Sequence, residues 1–136
     1  MTMDATRLQL VLKNHSAWLL SSADAPRSDA HRADLSYDNL TEANLRYANL
    51  SYANLRHAEL IRANLIGANL IGADLRYADL IGADLRHANL SHADLRHADL
   101  TEANLTEANL TGADLSRANL TGANLTEVNL ERTKIQ

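Results

Sequence analysis

Leucine recurs at every fifth position from Leu35 to Leu130, twenty times in succession, and Ile135 keeps the frame. Alanine stands two residues before each leucine from Ala33 onward, broken only by Asp38 and Val128. Between them lies a short polar residue: Asn twelve times, Asp seven times and Glu once, at Glu59. A five-residue period matches neither the 3.6-residue α-helix nor a straight strand, where an odd repeat sends alternate leucines to opposite faces. The chain must therefore turn once per repeat. Four right-angle turns close a square coil of twenty residues, with Leu and Ala pointing inward and Asn or Asp outward. These short polar side chains bond nearby backbone and suit turns. Successive coils then pair as parallel strands do, about 4.8 Å apart.

The Ala-(Asn/Asp)-Leu-x-x unit, running over residues 33–132, resembles the pentapeptide-repeat family. The resemblance implies an all-β solenoid, a right-handed quadrilateral parallel β-helix, here of about five coils of four pentapeptides. The Phe that the family often places at the centre of the repeat is Leu throughout, so a slim, regular core is expected. Two regions follow: residues 1–30 as an N-terminal α-helical cap and loop, and 31–136 as the β-helix.

A solenoid exposes backbone and apolar axis at its ends. From Asp4 to Leu20, the residues Leu8, Val11, Leu12, His15, Trp18 and Leu19 follow helical spacing, with Asp4 or Thr6 as N-cap. Trp18 and Leu19 are expected to pack on the first coil near Leu35 and Leu40, and Ser21 to Ala30, with Pro26, reads as a loop. After Leu130 two outcomes are open: Ile135 folds over the axis as a partial plug, or two chains stack end to end. The homodimer through the C-terminal coil is expected, since family members often dimerise at this end.

Residues twenty apart should lie one above another. One side then carries Tyr37, His57, Tyr77 and His97 in one column and Arg56, Arg76 and Arg96 beside it, a candidate interaction strip because Tyr and Arg are enriched at interface hot spots. Asp74 and Asp94 stand near enough to offset Arg76 and Arg96. The next side carries an acidic stripe of Glu42, Glu59, Asp79, Asp99 and Glu102. Ile61, Ile66, Ile71 and Ile81 occupy outward positions elsewhere held by Ser, Thr or Arg, a candidate apolar patch.

His87, His92 and His97 fall on different sides and cannot converge on one ion, so no metal site is expected. A filled solenoid presents a convex surface without the pocket that catalysis needs, and the chain has no Cys nucleophile, so neither enzyme activity nor any cofactor is expected. No apolar run reaches the roughly 18–20 residues that span a bilayer, and residues 1–13 lack the pattern of a secretory signal. Cytoplasmic location without membrane association is the expectation. The repeat region holds fourteen acidic residues against eight Arg, a net charge of −6, and no basic groove, so direct nucleic-acid binding is not expected. The expected function is a non-enzymatic, rigid protein-interaction or structural module with an unidentified protein partner. The alternative that the resemblance implies is DNA mimicry directed at DNA gyrase or topoisomerase.

Overall fold

The computed structural model describes residues 2–20 and 32–136. The expected loop at 21–30 lies outside the described residues. Within the repeats, residue n bridges residue n+20 in parallel register, from Asp34↔Asn54 to Asp114↔Lys134. The bonds alternate in direction. Asp74 N–H donates to Ala53 C=O at 3.0 Å, while Leu55 N–H reaches forward to Asp74 C=O at 2.8 Å and His57 N–H to Arg76 C=O at 3.0 Å. Each repeat contributes one bridged residue, and no longer strand forms among the described residues. The reason is local: the turn follows so closely that only the Asn/Asp position can pair on both sides.

That turn runs from each leucine to the next alanine. Ala53 N–H, for example, bonds Leu50 C=O at 3.0 Å. The second residue after every leucine from Leu35 to Leu130 has a positive φ, between 55° and 69°, while the residue before it does not. This is the type II pattern. Fifteen of these positions hold non-glycine residues, against a local cost of about 1–2 kcal/mol each for L-residues. The Asn or Asp side chain helps fix the turn. Its Oδ1 accepts the N–H of the residue two places on, at 2.9–3.3 Å, in every repeat except that of Glu59, whose longer side chain stands exposed.

The leucines from Leu35 to Leu115 are at most 2% exposed and form one core with the alanines. Burial fails toward the C-terminus. Leu125, Leu130 and Ile135 are 36%, 40% and 49% exposed. Ile135 does not fold across the axis as a plug; its neighbour Lys134 continues the ladder by bridging Asp114.

Helix α1 spans Ala5–Leu20. Asp4, rather than Thr6, is its N-cap, with Oδ1 accepting Thr6 N–H at 3.1 Å. Leu8, Val11 and Leu12, with Met3 ahead of the helix, pack against the Leu–Ala core. Trp18 instead stacks on His15, their ring centroids 5.4 Å apart, and Leu19 is half-buried outside the core cluster. The helix residues grouped with the Leu–Ala core are thus about two and three turns before the Trp18 and Leu19 that were expected near Leu35 and Leu40.

Polar links tie this segment to the solenoid. Met3 N–H donates to Asn39 C=O at 2.7 Å. Arg7 Nη1 pairs with Asp38 at 3.2 Å, so one of the two residues that break the alanine pattern meets the helix. His15, fully buried, accepts Ala33 N–H at Nδ1, 3.0 Å away, and lies 2.8 Å from Ser51 C=O through Nε2.

The exposure gradient sets an expectation for stability. Leu75→Ala, at a site with no solvent exposure, should lower the unfolding free energy by about 2–5 kcal/mol. Leu130→Ala, at a site already 40% exposed, should cost about 1 kcal/mol. Urea denaturation of the two variants measures the difference.

Candidate interaction surface

Twenty-residue stacking aligns outward side chains in columns, and one column is a continuous aromatic ladder. Tyr37, His57, Tyr77 and His97 lie ring over ring, with centroids 4.7, 4.9 and 4.7 Å apart and planes within 11° of parallel. The spacing matches the coil repeat of about 4.8 Å, so the backbone itself sets the stacking distance. The ring faces between rungs are occupied by their neighbours. The ladder therefore offers its edges and the hydroxyls of Tyr37 and Tyr77, which are 71% and 44% exposed.

The arginines beside the ladder are not equivalent. Asp74 grips Arg76 with two bonds, Nε to Oδ1 at 2.8 Å and Nη2 to Oδ2 at 2.6 Å, and Asp94 lies 3.6 Å from the same guanidinium. Asp94 holds Arg96 in the same bidentate way, as Asp84 holds Arg86 on another side. Arg56 follows Asn54, not an aspartate. Among the described residues it makes no direct ion pair, though its charge acts on Asp74, and its guanidinium sits over the Tyr77 ring at 5.8 Å. Arg46 follows Asn44 and repeats the arrangement, donating to its neighbour's hydroxyl, Tyr47 Oη, at 3.2 Å. The choice between Asp and Asn at the turn thus decides whether the arginine two residues on is neutralised or left to an aromatic ring.

The bonds from Arg76 hold the Asp74 carboxyl below its ordinary range against the opposing effect of burial, and Arg86 does the same for Asp84. Asp114 is also lowered, chiefly by the Ser116 hydroxyl and backbone.

Glu59, Asp79 and Asp99 share one bridging column, with Glu42 and Glu102 in the neighbouring turn column. Asp79 and Asp99 each spend an oxygen on their own turn, while Arg62 lies 3.7 Å from Glu42. The four isoleucines do not form one surface. Ile61 and Ile81 share a side, but Ile66 and Ile71 fall on the next two, because each five-residue step moves the chain one side on; all four are half-buried. His87 pairs with Glu107 at 3.2 Å. No group of three metal-ligating side chains converges among the described residues.

Tyr47 and Tyr52 are also exposed, and the strip had not included them. Their rings lean over the glycines twenty residues on. A methyl group added at Gly72 would lie 2.7 Å from Tyr52 Cε1, and one at Gly112 the same distance from His92 Nδ1. All five glycines occupy the positive-φ position of the repeat, and that coincidence was available in the sequence as a signal.

Overlapping segments at 39–76, 63–101, 78–116 and 98–136 match the family model "Pentapeptide repeats" with 8 copies. The chain belongs to the pentapeptide-repeat family. Membership supplies the right-handed quadrilateral β-helix as its fold. Among solved structures, it is similar to the pentapeptide-repeat protein Rfr23 from the cyanobacterium Cyanothece 51142, with 34% identity, 82% of this chain and 69% of that chain covered, and a TM-score of 0.65. A pentapeptide-repeat protein of the Arabidopsis thaliana thylakoid lumen is 34% identical over 70% of this chain and 59% of its own, with a TM-score of 0.45. The protein alr5209 from Nostoc is 29% identical over 95% of both chains, with a TM-score of 0.40. None of the curated proteins matches the chain. No helix among the described residues is long and apolar enough to cross a membrane.

The dual role of Asp74 separates in two substitutions. Asp74→Asn keeps an Oδ1 for the turn and loses the ion pair, which should cost at most about 1 kcal/mol. Asp74→Ala also removes the acceptor for Arg76 N–H and should cost about 1 kcal/mol more. Because the folded carboxyl is depressed, the pair's contribution is complete above the ordinary value of 3.8 and is lost as pH falls through the lower folded value. The gap between wild type and Asp74→Asn in urea denaturation should therefore narrow between neutral pH and about pH 3.

Proposed function

We propose that this pentapeptide-repeat protein is a rigid, non-enzymatic protein-interaction module of the cytoplasm, and that its binding face is the side carrying Tyr37, His57, Tyr77 and His97 with Arg56, Arg76 and Arg96. The stacked ladder supports this most directly. Its rings are held at fixed spacing before any partner arrives, so little side-chain freedom is lost on binding. Arg56 acts on the Asp74 carboxylate only at longer range and is the strip's least compensated cation, whereas Arg76 and Arg96 act as positioned but neutralised donors. Helix α1 and residues 2–4 serve as the N-terminal cap of a stack of about five coils.

The test is an affinity capture from lysate with wild type and a Tyr37→Ala, Arg56→Ala, Tyr77→Ala variant. The variant should lose one or more specific partners. An unchanged bound set overturns the assignment of this face. If the acidic stripe instead acts as a DNA mimic, purified protein should inhibit gyrase supercoiling and lose the effect when Glu59, Asp79 and Asp99 become amides; no inhibition at micromolar protein removes that reading.

The partly exposed Leu125, Leu130 and Ile135 support a homodimer through the last coil. Scattering mass over a concentration series should rise toward twice the monomer value, and Leu130→Glu should hold it at the monomer. A monomer at every concentration overturns the dimer.

A further inference from the structure

Among the described residues, a tightly constrained titratable group lies away from the interaction strip, where α1 meets the first coil. His15 has no solvent exposure. Its Nδ1 is 3.0 Å from Ala33 N, and a backbone nitrogen at that position can only donate, so Nδ1 must be an unprotonated acceptor. The ring proton therefore sits on Nε2, which donates to Ser51 C=O at 2.8 Å. One neutral tautomer satisfies both contacts, and no other protonation state does. The two bonds reach opposite ends of the first coil, Ala33 at its entry and Ser51 near its close, while Trp18 covers one ring face.

We propose that His15 is a pH-operated latch: neutral, it holds α1 on the first coil, and protonated, it releases the helix. A second proton would set an Nδ1–H against the Ala33 N–H, breaking that bond and placing a charge where no water reaches it. Among the described residues the charged group acting on the ring is Arg32, whose positive charge adds to the opposition. Burial is the larger effect in holding the imidazole below its ordinary 6.5. The stacked Trp18 face attracts a cation but cannot replace the lost acceptor.

The sign follows from the proton count. Release takes up one proton, so docking is at full strength above pH 6.5 and weakens about tenfold per pH unit below it, until the folded ring itself titrates. A detached 16-residue helix is marginal in water and loses helicity. Release also uncovers the core against which Leu8, Val11 and Leu12 pack, and frees the Asn39 carbonyl. The end of the solenoid then becomes apolar and able to accept hydrogen bonds, a surface whose availability is governed by pH. The proposal rests on α1 as the N-terminal cap and is independent of the Tyr–His face, so failure of the capture experiment does not touch it.

The experiment follows Trp18 emission, the only tryptophan signal in the full chain, together with far-UV helical ellipticity, from about pH 8 to about pH 4.5. Wild type should show a red shift and a loss of helical signal with a common midpoint below 6.5. His15→Gln, which retains a side-chain N–H for Ser51 C=O, should abolish the transition. Asp38→Asn, which removes the titratable partner of Arg7, should leave it in place. The latch is overturned if wild type shows no transition in this range, or if His15→Gln shows the same one. Should His15→Gln fail to dock at any pH, nitrogen NMR of the wild-type ring decides. A neutral Nε2–H ring at about pH 8, protonating together with the Trp18 shift, supports the latch; an Nδ1–H tautomer, or protonation without the shift, overturns it.

Discussion

A left-handed residue two places after each leucine turns a flat pentapeptide into one side of a square, and everything else depends on that bend being identical at every repeat. Equal turns bring residue n beneath residue n+20, which allows the parallel bridges, which in turn bring the leucines back to one axis. Most of these bends are made by Tyr, His, Glu or Arg, residues that disfavour positive φ. They persist because most are fastened three ways: by the N–H to Leu C=O bond that closes the turn, by the Asn or Asp Oδ1 except in the Glu59 repeat, and, before the last coil, by the backbone bond to the next coil.

The same register governs the surface. A column one coil apart is close enough for rings to stack and for a guanidinium to meet the carboxylate of the following coil, as Arg76 does with Asp94. Local pairing comes first: Asp74, Asp84 and Asp94 each take the arginine two residues on. Where asparagine replaces aspartate, at Asn44 and Asn54, the turn is unchanged but the arginine turns to an aromatic ring. The turn residue is thus both a structural acceptor and the control on local charge.

Much of this was legible in the leucine spacing, because a core built from one residue type at one interval admits few geometries. The columns followed by arithmetic, and with them the juxtaposition of Tyr37, His57, Tyr77 and His97. What escaped lay in the exceptions and in relations across twenty residues. Asp38 looked like a flaw in the alanine column but pairs with Arg7 of the helix. His15 was counted by its helical spacing among apolar positions, although its role rests on two ring nitrogens facing backbone groups from distant parts of the chain. The left-handed turns were announced by the five glycines sharing one position of the repeat, yet the turn was attributed to Asn and Asp, whose side chains brace it rather than make it. The outward isoleucines read as neighbours in sequence but part company in space, since adjacent repeats occupy adjacent sides.

Because every contact between repeats is to the coil before or the coil after, the molecule behaves as a one-dimensional stack. Loss or gain of a single pentapeptide would leave each bend and each leucine intact while rotating all that follows by a quarter turn. Such a change breaks the aromatic ladder and brings new columns together without disturbing the core. Evolution of this scaffold therefore has a ratchet available to it: in steps of five residues it can re-deal whole surfaces, while only steps of twenty conserve them.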